Sequence, residues 1–216
     1  MKEEETLRER MREPEPRIEL IATVLMSIAI ALSAYCAYEA TRWGGVQSID
    51  FATASTYRVE STKSASTANQ QLSYDASTLL SLSEVYLQGE TAVVTELGGR
   101  FLRDEFRPFV DQWMALDPLN NPDAPDTPFE MPGFVNKEQE HAKQLDQEAA
   151  IKFQEAQEAN QNGDDYVMAT VFFALVLFFA GISTKLDYIF LQRLVLIFGT
   201  IGLLMGFVRM LTLPFH

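Results

Sequence analysis

The chain has one cysteine, Cys36, and two histidines, His141 and His216. A single thiol excludes an intrachain disulfide framework and any multi-thiolate metal site. Two imidazoles far apart in sequence leave little material for a histidine-based catalytic centre. Positive charge is scarce as well: 17 basic against 30 acidic residues in 216 give a net charge of −13. That sign excludes a nucleic-acid partner, whose phosphates need a basic face. Zinc-ligand spacing, a phosphate loop and a nucleophile elbow are all missing. The adjacent acids Asp104-Glu105 and Asp164-Asp165 diverge by about 100° on a helix and do not face each other as a dyad. The expectation is therefore a protein without cofactor and without enzymatic activity.

What is abundant is apolar sequence gathered into runs. Leu20–Tyr38 carries no charge over 19 residues, roughly 28 Å of helix against a hydrocarbon core of about 30 Å. Tyr166–Thr184 is a second uncharged run of the same length, and Tyr188–Val208 a third, interrupted only by Arg193 near its start, within snorkelling reach of the headgroups. The first run is too long for the apolar region of a cleaved signal peptide, and the tail before it mixes five basic with six acidic residues. Tyr35 also stands where a lipoprotein signal needs a small residue before its cysteine.

These runs predict an all-α integral membrane protein with three transmembrane helices: a charged tail over 1–17, spans over 18–39, 166–184 and 188–212, and a short turn over 185–187. Basic residues near span ends set orientation. Lys2, Arg8, Arg10, Arg12 and Arg17 in the tail and Lys185 in the turn predict a cytoplasmic N-terminus, with 40–165 outside. The flanks of the outer segment carry Arg42 but also Glu39, Asp164 and Asp165, and Arg209 is the one basic residue that ends up on the wrong side.

The segment 40–165 holds 9 basic and 21 acidic residues, a net −12 of the chain's −13. Neither glycine nor proline occurs from Val46 to Gln88, a stretch bracketed by Gly44-Gly45 and Gly89. Within it Ala54, Tyr57, Ser61, Ala65, Ala68, Leu72, Ala76 and Leu79 recur at spacings of three and four, the helical period. So small a stripe predicts a close seam with another helix. Ala142, Leu145, Ala149, Phe153 and Ala156 form a second such stripe in 136–162, with Asn136 as N-cap and Glu138 and Glu140 in the first turn. An antiparallel pair follows, with Gly163 marking a break before the second span. Between the two, Leu102, Phe106, Phe109 and Trp113 fall on one helical face, and Pro108 kinks that helix or restarts it. Residues 117–134 carry five prolines and predict a non-helical acidic cap. The whole is an extracytoplasmic long-helix bundle.

Several residues are candidates for contacts. Arg100, Arg103 and Arg107 are candidates for an anionic ligand or lipid headgroup, set against a plain solvated face on which Arg100 pairs with Asp104. Asp117, Asp123, Asp126 and Glu130 are oxygen ligands a calcium ion accepts, although their spacing fits no EF-hand loop. Thr23 and Ser27 lie along one face of the first span and, in a ring of subunits, line a pore whose outer vestibule is Glu39, Asp164 and Asp165. Ala29, Ser33 and Ala37, and Gly202 with Gly206 in the third span, are small residues that let helices pack closely, Gly202 and Gly206 by default against the second span.

Three stretches carry a resemblance: Arg42-Trp43-Gly44-Gly45-Val46-Gln47; the block from Arg100-Phe101-Leu102-Arg103 through Asp126-Thr127-Pro128-Phe129; and the run from Asp165-Tyr166 to Thr184-Lys185. Together they resemble a family of uncharacterised bacterial three-span membrane proteins with the order span, outer helical segment, two-span hairpin. The resemblance implies a bacterial inner-membrane location and carries no activity. The function expected is a scaffold or accessory subunit that presents the acidic outer bundle, surrounded by membrane lipids, self-associating as a homo-oligomer or meeting an envelope protein partner. The alternative is the pore-forming subunit of an oligomeric cation-permeable channel.

Overall fold

A computed structural model describes residues 16–118 and 120–215. The basic residues 2, 8, 10 and 12 of the tail, and His216, lie outside the described residues. Every regular element among the described residues is helical: α1 (Pro16–Leu87), α2 (Thr91–Phe101), α3 (Arg107–Ala115), a 3₁₀ turn (Pro128–Glu130), α4 (Lys137–Ser183) and α5 (Ile189–Leu211). α1, α4 and α5 are each long and apolar enough to cross a membrane. The chain divides into two compact units, Met1–Ala52 with Lys152–His216, and Thr53–Ile151.

In the first unit the three apolar segments share one core. α1 contributes Ile18, Ala22, Leu25, Ala29 and Cys36, and α4 contributes Tyr166, Ala169, Phe173, Val176 and Ala180, both at spacings built from three and four. α5 adds Leu196 and Met210. Five of the thirteen buried core residues are alanine or cysteine, and glycines bring the helices closer still. A Cβ at Gly206 would lie 2.9 Å from the Phe173 ring, and one at Gly202 or Gly199 would lie 3.5 Å from Val176 or Phe179. The glycines of α5 thus pack within the hairpin, against α4, as expected. Large apolar side chains face outward all round: Leu20, Ile21, Phe178, Phe190 and Phe198 are each more than half exposed.

Gly163 does not break the chain. α4 runs through it, and a Cβ there would lie 3.5 Å from the Ala40 carbonyl oxygen. A glycine weakens a helix by about 1 kcal/mol, and here it permits contact with α1. Gly44 and Gly45 likewise lie inside α1.

In the second unit α1 and α4 are antiparallel, stitched by small polar side chains. Ser61 Oγ donates to the Ala142 carbonyl at 2.8 Å, Ser64 Oγ and His141 Nδ1 share a hydrogen bond of 3.2 Å, and Asn136 Nδ2 donates to Gln71 Oε1 at 3.3 Å. A serine reaching the neighbouring backbone requires the close seam that the alanines provide; Ala54, Ala68, Ala142 and Ala149 are buried. Asn136 caps α4 as expected, its Oδ1 accepting from the Gln139 N–H at 3.1 Å. Gly89 ends the preceding turn at φ +85°, the left-handed region where only glycine is unstrained.

Pro108 restarts rather than kinks its helix, sitting in the first turn of α3. Phe106 is fully buried and stacks on Phe129 at 4.7 Å, while Phe134 meets Phe106, Phe109 and Phe129 edge-on. Trp113 Nε1 donates to the Pro125 carbonyl at 2.7 Å. The proline-rich segment is thereby pinned by aromatic contacts, and Val110 joins Leu102 and Phe106 in that core.

Candidate functional site

A group of polar side chains of the first unit meets at one end of its apolar segments. Glu39 is buried beside Cys36, on the turn of α1 that follows the uncharged run. Tyr166 hydroxyl donates to the Pro214 carbonyl at 3.2 Å, and Trp43 Nε1 donates to the same oxygen at 3.3 Å. Leu213 is buried beneath, so the chain's last described residues are strapped across that end. Arg209 and Asp165 close the strap with an ion pair of 2.7 Å. Arg209, which the expected orientation leaves on the wrong side, is thus paired where it stands. Its pairing also removes Asp165 as a free acidic group.

Of the residues expected to line a pore between subunits, Thr23 and Ser27 face outward from this chain. Thr23 Oγ1 and Ser27 Oγ donate back to the Glu19 and Thr23 carbonyls, at 2.8 and 2.9 Å, on the exposed face of α1. Asp164 is exposed and accepts from Asn160 Nδ2 at 3.2 Å. Of the packing residues on α1, Ala29 is buried, Ser33 half-buried and Ala37 exposed. Ala37 thus lies outside the seam, because the buried register runs through Ala29 and Cys36, seven residues apart.

In the second unit the three arginines part company. Arg100 pairs with Glu96 at 2.7 Å, both well exposed, and not with Asp104. α2 ends at Phe101, so residues 100 and 104 do not share a helix. Arg103 clamps Asp75, Nε donating to its two oxygens at 2.9 and 3.2 Å and Nη2 at 2.6 Å. Asp75 is fully buried. Its hydrogen bond to the guanidinium, ahead of the opposing effect of burial, raises the Arg103 pKa still further above its ordinary value. This clamp ties α1 to the segment after α2, and it is structural.

Arg107 is placed differently. Its Nη2 donates to the Leu102 carbonyl at 3.3 Å and to Asp104 at 3.0 Å. It borders a cavity of about 430 Å³ whose walls include Leu82, Gly98, Leu102, Val110 and Trp113. The cavity arises because the Gly89 turn folds α2 back on the end of α1 and α3 closes the third side. Sequence periodicity alone does not reveal it. The signal nearest to it is Gly98-Gly99 followed by Leu102, where Gly98 leaves the wall open: a Cβ there would touch Leu102 at 3.4 Å.

The acidic cap does not gather its carboxylates. Asp117 accepts from Asn120 and Glu130 from Thr127, and among the described residues no three histidine, cysteine or acidic side chains come together to hold a metal ion. Asp123 and Asp126 are exposed. Among the described residues the four calcium candidates are thus not brought together.

No protein-family model, curated protein or solved structure matches the chain.

Proposed function

We propose that this chain is a three-span integral membrane protein of the bacterial inner membrane, with its N-terminus in the cytoplasm and residues 40–165 outside, acting without catalysis as a scaffold or accessory subunit. The observation that carries the reading is the outward face of the first unit: large apolar side chains such as Leu20, Phe178, Phe190 and Phe198 stand exposed around a core that already holds Tyr166 and Phe173. That distribution is stable only where the surroundings are themselves apolar, because water would penalise each exposed Leu, Ile or Phe by about 1.5–3 kcal/mol relative to burial. Aromatic side chains with polar tips support it. Tyr38 and Trp43 stand at one end of the apolar segments and Tyr188 at the other, the places where an interfacial belt belongs. The resemblance to bacterial three-span proteins agrees.

A non-catalytic role is supported by what the polar groups are doing. Asp75 is spent on Arg103, Asp165 on Arg209, and His141 on Ser64; each holds helices together. The outer unit carries the acidic charge and is the surface offered to a partner or to further copies of the chain. The test is purification from membranes followed by mass measurement and reconstitution. The expected result is an assembly larger than one subunit, specific recovery of an envelope protein that depends on residues 53–151, and liposomes that pass no ions. A clean monomer without partner contradicts the scaffold reading. Cation flux altered by Glu39→Gln and Asp164→Asn replaces it with the channel.

A further inference from the structure

The cavity beside Arg107 lies wholly in the second unit, so what it holds is independent of the membrane reading. At about 430 Å³ it falls toward the lower end of the roughly 300–1,000 Å³ typical of ligand pockets, space for one extended apolar chain rather than two. Its walls are apolar apart from a few groups, of which two are charged: Arg107 and, one helical turn later, Asp111. Arg107 is under-used. Its Nε is buried and has no hydrogen-bond partner, a loss that native proteins rarely leave uncorrected. Its partner Asp104 has a side chain 92% exposed, so that ion pair is weak and readily exchanged. Asp111 is exposed.

The charges narrow the occupant. The unit as a whole carries 7 basic and 16 acidic residues, a field that repels a simple anion. A head bearing both signs meets no such penalty: an anionic phosphate sits at Arg107 while an ammonium group sits at Asp111. We propose that this cavity binds a single-chain zwitterionic phospholipid, its acyl chain against Leu82, Leu102 and Val110, its phosphate displacing Asp104 from the guanidinium, and its amine facing Asp111.

The test is photo-crosslinking of the full-length chain in detergent-free nanodiscs, with a diazirine-tagged lysophosphatidylethanolamine as probe and a diazirine-tagged fatty acid as comparison. Labelled peptides are mapped by mass spectrometry, and labelling of the apolar segments of α4 and α5 serves as the internal reference. The expected result is strong labelling within residues 79–118 that unlabelled lysophosphatidylethanolamine competes away. Arg107→Gln lowers it about tenfold, as loss of a charge-assisted hydrogen bond requires, and Arg107→Lys retains part of it. Labelling by the fatty acid is weak and rises on Asp111→Asn. On the unaltered chain alone, cavity labelling that does not saturate, or that the fatty acid matches, overturns the proposal. So does labelling indifferent to Arg107→Gln in a variant whose helix content is unchanged.

Discussion

The two units turn opposite kinds of side chain outward. The first closes its helices on alanine and glycine, with Tyr166 and Phe173 as its largest fully buried side chains, and turns Leu, Ile and Phe outward. The second keeps its bulk inside, in the Phe106–Phe129–Phe134 cluster, and places nearly all its charge outside. Where both faces of a helix are apolar, attraction between helices comes from close fit, so the smallest side chains mark the interface. Where water surrounds the unit, area removed from it drives assembly, so the largest side chains mark the interior. Alanine seams serve both units; what separates them is the outward face, apolar along the first unit's helices and rich in charge on the second.

Substitutions that remove one partner in each unit sharpen this contrast. The largest effect belongs to the second unit. Asp75→Asn takes the buried counter-ion from the partly exposed Arg103 guanidinium, leaving it only Glu105 at 3.7 Å, and destabilises that unit by about 2–3 kcal/mol. Hydrogen exchange should accelerate across α2 and α3 and leave the apolar segments of α4 and α5 unchanged. The paired change Asp75→Leu with Arg103→Met should recover much of the loss. Acceleration spreading equally into the apolar segments would dissolve the division into two units.

Next comes the first unit, where fit rather than charge is at stake. Gly206→Ala brings a methyl group to 2.9 Å from the Phe173 ring and should lower stability by about 1–3 kcal/mol, read as a lower thermal midpoint in detergent. Gly181→Ala, which meets nothing within 4 Å, should be neutral or slightly stabilising. Equal effects at the two positions would mean that α5 does not rest on α4 through Gly206. A smaller loss, about 1 kcal/mol, is expected for Asn136→Ala, which removes the cap on the Gln139 N–H, while Asn136→Asp should keep most of it.

The smallest effect is one of pH. Hydrogen bonds to Glu155 and then to Asp50 raise the Lys152 pKa above its ordinary 10.5. A cation whose folded-state pKa is raised stabilises fully below the unfolded value and loses that contribution as pH climbs through the folded one. The pair is surface-exposed, so the loss above about pH 10.5 is slight. Lys152→Met should flatten the alkaline limb of the stability profile, and an unchanged limb would assign it to other groups.

Much of this architecture is visible in the residue pattern. The three apolar runs, the two small-residue stripes, the Asn136 cap and the restart at Pro108 all rest on local periodicity or on backbone chemistry. The helices are longer than the pattern suggests because Gly44, Gly45 and Gly163 read as breaks, although a helix packed along one side tolerates them. Pairings across the fold are hidden. Nothing near Arg103 in sequence points to Asp75, 28 residues away, beyond the oddity of a lone acid in the otherwise uncharged stretch 64–83. Nor does sequence show that Asp165 answers Arg209. The cavity is hidden for the same reason, since it depends on the angle at which α2 returns to α1. Of three similar arginines, only the folded chain distinguishes the one that borders it.

The central claim is that lipid surrounds the outward faces of the three apolar segments. Spin labels placed singly at Val171, Phe178 and Ile201, with Cys36 replaced by serine, report it directly through their collision rates with oxygen and with a water-soluble nickel chelate. The account predicts high oxygen and low nickel accessibility at all three positions, and the reverse at Val59 and Glu138 in the second unit. Nickel accessibility at Val171, Phe178 and Ile201 equal to that at Glu138 would contradict it.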